Sequence, residues 1–261
     1  FQLEDPPTEY SIFDLVMSLK DVDPSSGVDK LPCLVFHLDI FRLIDRFQQL
    51  LRGLESAQRK KHPNYYAEMI AKRQANDAQI QAILKGCVTE EEKELEMRNF
   101  TALGEADLEQ PHPDFVLSRG VSRTEFDQIC KDVAQQDKFG SDASKHALLR
   151  ALRRGIGLII NEVSFQAYRR AVMRLATRGK LAVVFSDDSL AFGVNMPFRS
   201  CVFCGEMGGR LDSLMLQQMS GRAGRRGLDT QGHLVYAGAS ADFVKTLMLA
   251  GLPAVHGDEP R

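Results

Sequence analysis

Gly155-Ile156-Gly157-Leu158-Ile159-Ile160 and Leu181-Ala182-Val183-Val184-Phe185 are two short apolar runs, and the segment joining them decides the fold. Runs of this length without polar alternation read as strands buried on both faces. From Ser164 onward, Phe165, Tyr168, Val172 and Leu175 recur at helical spacing, with Arg169, Arg170, Arg174 and Arg178 displaced from that stripe. Strand, helix and strand in that order imply a right-handed crossover and a parallel pair. The alternation extends both ways. Helices are expected over 146–154, 211–221 and 241–249, and strands over 199–204 and 232–237. Upstream, Leu31-Pro32-Cys33-Leu34-Val35-Phe36 reads as a buried strand and Phe41 to Leu54 as a helix. The fold class is therefore α/β, a parallel sheet with helices on both faces.

Composition supports that reading and narrows the function classes. A chain of 261 residues with 44% hydrophobic and 26% charged residues has the make-up of a soluble globular protein with a proper core. No apolar run approaches the roughly 20 residues that span a bilayer, so no membrane association is expected. The chain begins at Phe1 without a signal-peptide pattern, which we read as the start of a fragment. Its net charge of −2 counts against a generally basic nucleic-acid binder. Locally the balance differs: Lys145 to Lys180 holds roughly nine Lys or Arg against one Glu. The five cysteines are scattered, as in reduced intracellular proteins. Cys201 and Cys204 form a CxxC inside an expected strand, where residues three apart face opposite sides, so no metal site is expected.

Four segments follow in order. Residues 1–30 are a lead-in with a helical stretch from Tyr10 to Lys20, broken at Asp23-Pro24-Ser25-Ser26-Gly27. Residues 31–54 open the α/β domain and 145–261 complete it. Residues 55–144 lack strand signals and read as a mainly helical insertion. It holds a polar helix from Tyr65 to Lys85, an acidic run from Thr89 to Glu96, and a Gln110-Pro111-His112-Pro113 loop. A second amphipathic helix runs from Ser122 to Ala134, with Ser122 and Glu125 as a capping box.

Two stretches carry chemistry. Gln217-Gln218-Met219-Ser220-Gly221-Arg222-Ala223-Gly224-Arg225-Arg226-Gly227 sets two arginines three apart, on one face if the helix reaches them. Its glycines let a polyanion approach the backbone, and arginine grips phosphate oxygens at two points. Phe185 to Pro197, with Asp187, Ser189, Gly193 and Asn195, leaves the C-terminal end of a strand, where open α/β sheets place ligands.

The first stretch resembles motif VI and the second motif V of superfamily 2 helicases, in the superkiller-like DExH-box branch. The long insertion is similar to that of the antiviral-type DExD/H-box subgroup. The likeness covers Lys145 to Leu252 closely and Leu31 to Phe47, similar to motif IV, more loosely. It implies a RecA-like domain, the second of two, in an ATP-dependent helicase. Arg222 and Arg225 would then be catalytic arginines near the γ-phosphate, with Gln218, Gly221, Gly193 and Asn195 lining the ATP side. Ser189 and Asp187 would stand at nucleic-acid-binding positions, with Arg169 and Arg170 in the basic footprint. Where the family has threonine this chain has Asp187, a carboxylate that repels phosphate. Where the family has a histidine pair and a glycine, the chain reads Ile159-Ile160-Asn161-Glu162.

Neither a Gly-x-x-x-x-Gly-Lys-Ser/Thr loop nor an Asp-Glu-x-His is present. ATP and Mg2+ would be held mainly by an N-terminal RecA-like domain outside this chain, so the isolated chain is expected to be inactive. Expected partners are that domain, single-stranded RNA with DNA as the alternative, and a protein bound through the insertion. The expected location is the cytoplasm, with the nucleus as the alternative. A rival reading makes the chain a degenerate helicase half that serves as an interaction or scaffolding module.

Overall fold

Every residue of Cys33–Phe36, Val183–Ser186 and Ser200–Cys204 is buried. Side chains alternate between the two faces of a strand, so this burial means that both faces are covered. These segments are β1, β3 and β4 of a five-stranded sheet whose edges are β2 (Ile156–Ile159) and β5 (His233–Ala237). The strand order is β2-β3-β1-β4-β5 and every pair is parallel. The computed structural model describes residues 10–22, 27, 29–87, 89, 91–93, 110–118, 120–139, 143–161, 165–191, 196–205, 207, 210–224, 229 and 231–250.

The chain divides into two compact units, one of Phe1–Gly53 with Leu117–Arg261 and one of Leu54–Val116. The first contains the sheet, flanked by helices. Register places Phe36 opposite Phe203 and Phe203 opposite Tyr236. Their rings stack at 5.7 and 5.3 Å, an aromatic ladder across three strands. Phe47 meets Phe185 edge-on at 5.8 Å, seating the helix α2 (Ile40–Lys61) on the sheet. Helix α1 (Ile12–Lys20) packs so closely that a Cβ on Gly53 would lie 2.8 Å from Phe13.

Among the described residues, the second unit holds the end of α2, a helix α3 (Tyr65–Gly86) and a 3-10 turn at Pro113–Phe115. Its core is thin: α3 buries only Met69 of its 22 residues. Polar contacts supplement it. The buried Gln58 accepts from the His112 N–H at 3.2 Å and donates to the Tyr66 hydroxyl at 3.3 Å. Lys61 and His62 both reach Asp114, at 2.8 and 3.0 Å, and these contacts hold its carboxyl down at about 2. Half of the acidic run expected from Thr89 to Glu96 lies outside the described residues.

Helix α4 (Arg123–Gln136), within residues 55–144, clusters with the first unit. Ser122 caps it by accepting from the Glu125 N–H at 3.1 Å. Its buried stripe of Phe126, Ile129, Cys130 and Val133 packs against α5 (Ala143–Arg153) and α6 (Gln166–Thr177). Those two helices lie against β2. At its end, Asp137 accepts from the Ala167 and Tyr168 N–H groups at 3.0 and 2.8 Å. The sequence suggested Ser164 for the start of α6. That residue lies outside the described ones, and the first turn is satisfied by a carboxylate some thirty residues upstream. The Tyr168 hydroxyl in turn accepts from the Leu158 N–H at 3.1 Å, covering edge strand β2.

His37, just past β1, is buried, and its Nδ1 accepts from the Asp39 N–H at 2.9 Å. Burial pushes its pKa down, with the Asp39 carboxylate opposing. Two outcomes follow from these caps. Asp137→Ala is expected to cost about 1 kcal/mol, with a range of roughly 0.5–2, as other lost helix caps do; a denaturant midpoint equal to wild type would refute the role. A histidine held neutral by folding stabilises above its unfolded pKa of about 6.5, and that share is lost as pH falls below it. Stability should therefore fall between pH 7.5 and 5.5, with a shallower slope for His37→Asn, read by urea titration at each pH.

Candidate functional site

Helix α7 (Ser213–Ser220) delivers the glycine-arginine stretch. Asp212 starts it by accepting from the Met215 N–H at 2.7 Å, and buried Leu216 and Met219 hold it down. Gly221 ends it, donating its N–H to the Gln217 carbonyl at 3.0 Å, and is itself exposed. The chain beyond is pinned from two sides. Ala223 forms a parallel bridge with Phe198, while a Cβ on Gly232 would come within 2.7 Å of the Ala223 backbone. Gly224 has φ +89°, which favours glycine.

Further along, Asp229 pairs with Arg199 at 2.8 Å, and Arg199 also bonds Asp29 at 3.2 Å. All three are largely buried, with side chains 6%, 11% and 8% exposed. Replacing Arg199 would take their shared cation from both largely buried carboxylates, the kind of loss that costs about 3–5 kcal/mol. The triad ties the far end of the stretch to the start of β4. Arg225 itself lies outside the described residues.

Arg222 turns toward the other stretch. Its Nε and Nη2 donate to the Ala191 carbonyl at 3.1 and 2.6 Å. Ala191 caps the 3-10 turn Asp188–Leu190, which opens the segment after β3. The guanidinium also faces the Cys201 thiol, whose pKa burial raises to about 12 against the pull of that charge. One helical turn before Arg222, the Gln218 Oε1 is buried with no hydrogen-bond partner. A buried acceptor left open costs free energy, so it marks a position for a donor. Gly193 and Asn195 lie outside the described residues.

Asp187 has a different surrounding from that expected of a phosphate contact. It is 5% exposed. Oδ1 accepts from the Ser189 N–H at 2.9 Å and Oδ2 from the Asn161 N–H at 2.9 Å. The carboxylate thus staples the end of β2 to the turn after β3. Ser189 Oγ lies 3.3 Å from Ser186 Oγ, at the same strand end. Ile159 and Ile160 are buried, and Asn161 is exposed.

These residues border a cavity of about 410 Å³ at the C-terminal ends of the strands. Leu38 and Ile40 enter from the β1 side, Asn161 from β2, Asp187 and Asp188 from β3, and Arg210 and Met215 from the segment after β4. Sequence reading missed Leu38, Arg210 and the Asp29–Arg199–Asp229 group. A charged Arg199 at the mouth of an apolar strand was the available signal for the last.

Among the described residues, the basic footprint does not form one surface. Arg153 and Arg154 are buried, Arg153 facing Asp127 at 3.5 Å. Arg170 is exposed on α6 and donates to Gln136 at 3.2 Å, while neighbouring Arg169 is half-buried. Together with Arg174, Arg170 lines a groove of about 320 Å³ floored by Ile129, Val133, Ala167 and Ala171. That groove lies between α4 and α6 rather than at the strand ends.

For a nucleotide, the Arg222 guanidinium and the open Gln218 oxygen suit a polyanion that also carries hydrogen-bond donors. Among the described residues, the one group of three His, Cys, Asp or Glu side chains near enough for a metal is His62, His112 and Asp114 in the second unit. The described residues at the arginine site thus offer no such set for Mg2+. All five cysteines are free.

No protein-family model matches the chain. It is 34% identical over 198 residues, 73% of its length, to an uncharacterized helicase of Caenorhabditis elegans. A human "probable ATP-dependent RNA helicase DDX60-like" is 36% identical over 113 residues, 43% of the chain. "Probable helicase HelY" of Mycobacterium tuberculosis is 36% identical over 119 residues, 42% of the chain. The chain spans 11%, 6% and 12% of the lengths of these three. No helix among the described residues is long and apolar enough to cross a membrane. The parallel α/β sheet and these similarities together make the chain a helicase-like RecA-fold family member of the superfamily 2, DExH/DEAH-box type.

Proposed function

We propose that this chain is the second, C-terminal RecA-like domain of an ATP-dependent helicase, completing an ATP site held mainly by an N-terminal RecA-like domain with its Mg2+. The observation that carries this is the Arg222 guanidinium on the Ala191 carbonyl, beside motif V, with a buried Gln218 oxygen open one helical turn away. Residues 31–54 and 145–261 are the two parts of the domain. Residues 55–144 are the insertion in sequence; its part up to Val116 falls in the separate unit and α4 clusters with the first.

On closure against the N-terminal domain, Arg222 exchanges a neutral carbonyl for the anionic γ-phosphate, a stronger partner for a guanidinium. Arg225 joins it, and the two stabilise charge on the transferring group. Leaving Ala191 frees the turn Asp188–Leu190, so the same movement reaches Gly193, Asn195 and the strand-end face. Nucleic acid lies across that face, at the C-terminal ends of the strands, near Ser189 and the 410 Å³ cavity. RNA is the proposed strand, supported by the description of the human relative as an RNA helicase. Asp187 acts there through the backbone rather than on phosphate, by holding Asn161 and Ser189 in place. The isolated chain, with no phosphate cradle, turns over no ATP. We place the complete protein in the cytoplasm.

In the complete protein, Arg222→Ala or Arg225→Ala is expected to lower the rate of ATP hydrolysis by about a thousandfold or more, the scale of a lost arginine finger. Wild-type turnover in either variant would sink the assignment. A second reading, a degenerate helicase half acting as a scaffold, is favoured by the buried Ile159 and Ile160 and by the fully engaged Asp187. Titrating the complete protein with single-stranded RNA at 50 and 200 mM salt separates the two. Binding that weakens steeply with salt supports the helicase, as phosphate contacts require; no measurable binding supports the scaffold.

A further inference from the structure

His62, His112 and Asp114 of the second unit take no part in the proposed ATP chemistry, yet they bring metal-ligand groups together from two distant points of the chain. We propose that these three side chains bind a zinc-class transition-metal ion that clips the two ends of the insertion's helical unit to each other. His62 stands one residue past the end of α2. His112 and Asp114 flank Pro113 at the 3-10 turn, fifty residues on in sequence.

The geometry is near that of a metal centre. His62 Nε2 lies 3.0 Å from Asp114 Oδ2, and His112 Nδ1 lies 3.8 Å from Asp114 Oδ1. The three donor atoms fall within 4.8 Å of one another. A tetrahedral ion with bonds of about 2.1 Å needs donors about 3.4 Å apart; the first two separations lie on either side of that value, one on each oxygen of the Asp114 carboxylate. Both imidazole edges therefore face one carboxylate; the His112 Nδ1 accepts from the Asp114 N–H at 3.2 Å, a contact that an ion on that nitrogen replaces. Aromatic neighbours hold the rings close together. They stack on each other at 3.6 Å, with Tyr65 edge-on to His112 at 5.0 Å and Phe115 edge-on to His62 at 6.1 Å. Buried Gln58 anchors the His112 backbone, the kind of outer support that metal ligands receive.

Donor chemistry selects the ion. Two imidazoles and one carboxylate suit Zn2+ and its neighbours, whereas Mg2+ and Ca2+ take oxygen ligands. Three protein ligands leave a fourth position to water. Lys61 is the built-in competitor, since its ammonium sits 2.8 Å from Asp114 Oδ2. A metal on that oxygen displaces it, and the 16° stack of the rings opens as both lone pairs turn to one ion. The benefit is a closed loop: a clip between residues 62 and 112 constrains a long excursion whose helix α3 buries only Met69.

The test titrates the metal-free complete chain with Zn2+ against a chromophoric chelator, with circular dichroism reporting the fold of each variant. One Zn2+ per chain is expected, undisturbed by millimolar Mg2+. Asp114→Asn, nearly isosteric, and the double variant His62→Ala/His112→Ala should each weaken binding at least tenfold. Lys61→Ala should tighten it severalfold by removing the competing charge. The Lys61 variant leaves all three ligands intact and so decides the matter even if the histidine variants misfold. The proposal is overturned by absence of one-to-one binding, by wild-type affinity in the folded ligand variants, or by unchanged or weaker affinity in Lys61→Ala.

Discussion

A parallel sheet covered on both faces has only its strand ends left to meet a ligand, and the rest of this molecule is arranged around that constraint. β1, β3 and β4 are buried along their whole length, so no functional group can emerge from their faces. Chemistry is displaced to the loops at the C-terminal ends, where polar backbone reaches water. His37, Asn161, Asp187, Ser189 and Arg210 all gather at that rim. Such loops need holding, because they lack the ladder of a sheet. Asp187 does this for two of them with one carboxylate, and the Asp29–Arg199–Asp229 group does it for the arginine stretch.

The burial of Asp187 sets what its charge can do. A carboxylate at position 187 would repel a phosphate if it faced solvent. Turned inward onto two backbone N–H groups, it is satisfied locally and presents little charge to the surface. The aliphatic pair Ile159 and Ile160 follows the same logic, extending the buried end of β2 where a polar edge would be expected. On the arginine stretch, Arg222 holds the Ala191 carbonyl, the Gln218 Oε1 is buried without a hydrogen-bond partner, and Gly232 packs tightly on the Ala223 backbone.

The elements of the sheet were legible in the sequence because their signal is local. Val183-Val184-Phe185 and Cys201-Val202-Phe203 are continuous apolar runs, and the stripe of Tyr168, Val172 and Leu175 carries its own period. The expected helix ends fell within a few residues of the observed ones where a local cap exists, as at Ser122. They were less legible where the cap comes from elsewhere: nothing near Phe165 shows that Asp137 closes the start of α6. For the same reason α4 read as part of the insertion. Its apolar stripe has no address written in it, and only packing against α5 and α6 assigns it to the first unit. At the site, the arginine motif was visible as a string, but the direction of Arg222 was not.

Sequence alone determined the fold class and the chemical types at the motifs, because periodicity and residue identity are properties of neighbours along the chain. Tertiary structure decided what each charged group faces. It turned Asp187 to backbone amides, Arg222 to the Ala191 carbonyl and Arg153 into the interior, and it stacked His62 on His112 across fifty residues. Charges and hydrogen bonds act through space over a few ångströms, and that distance is set by the fold rather than by separation in sequence.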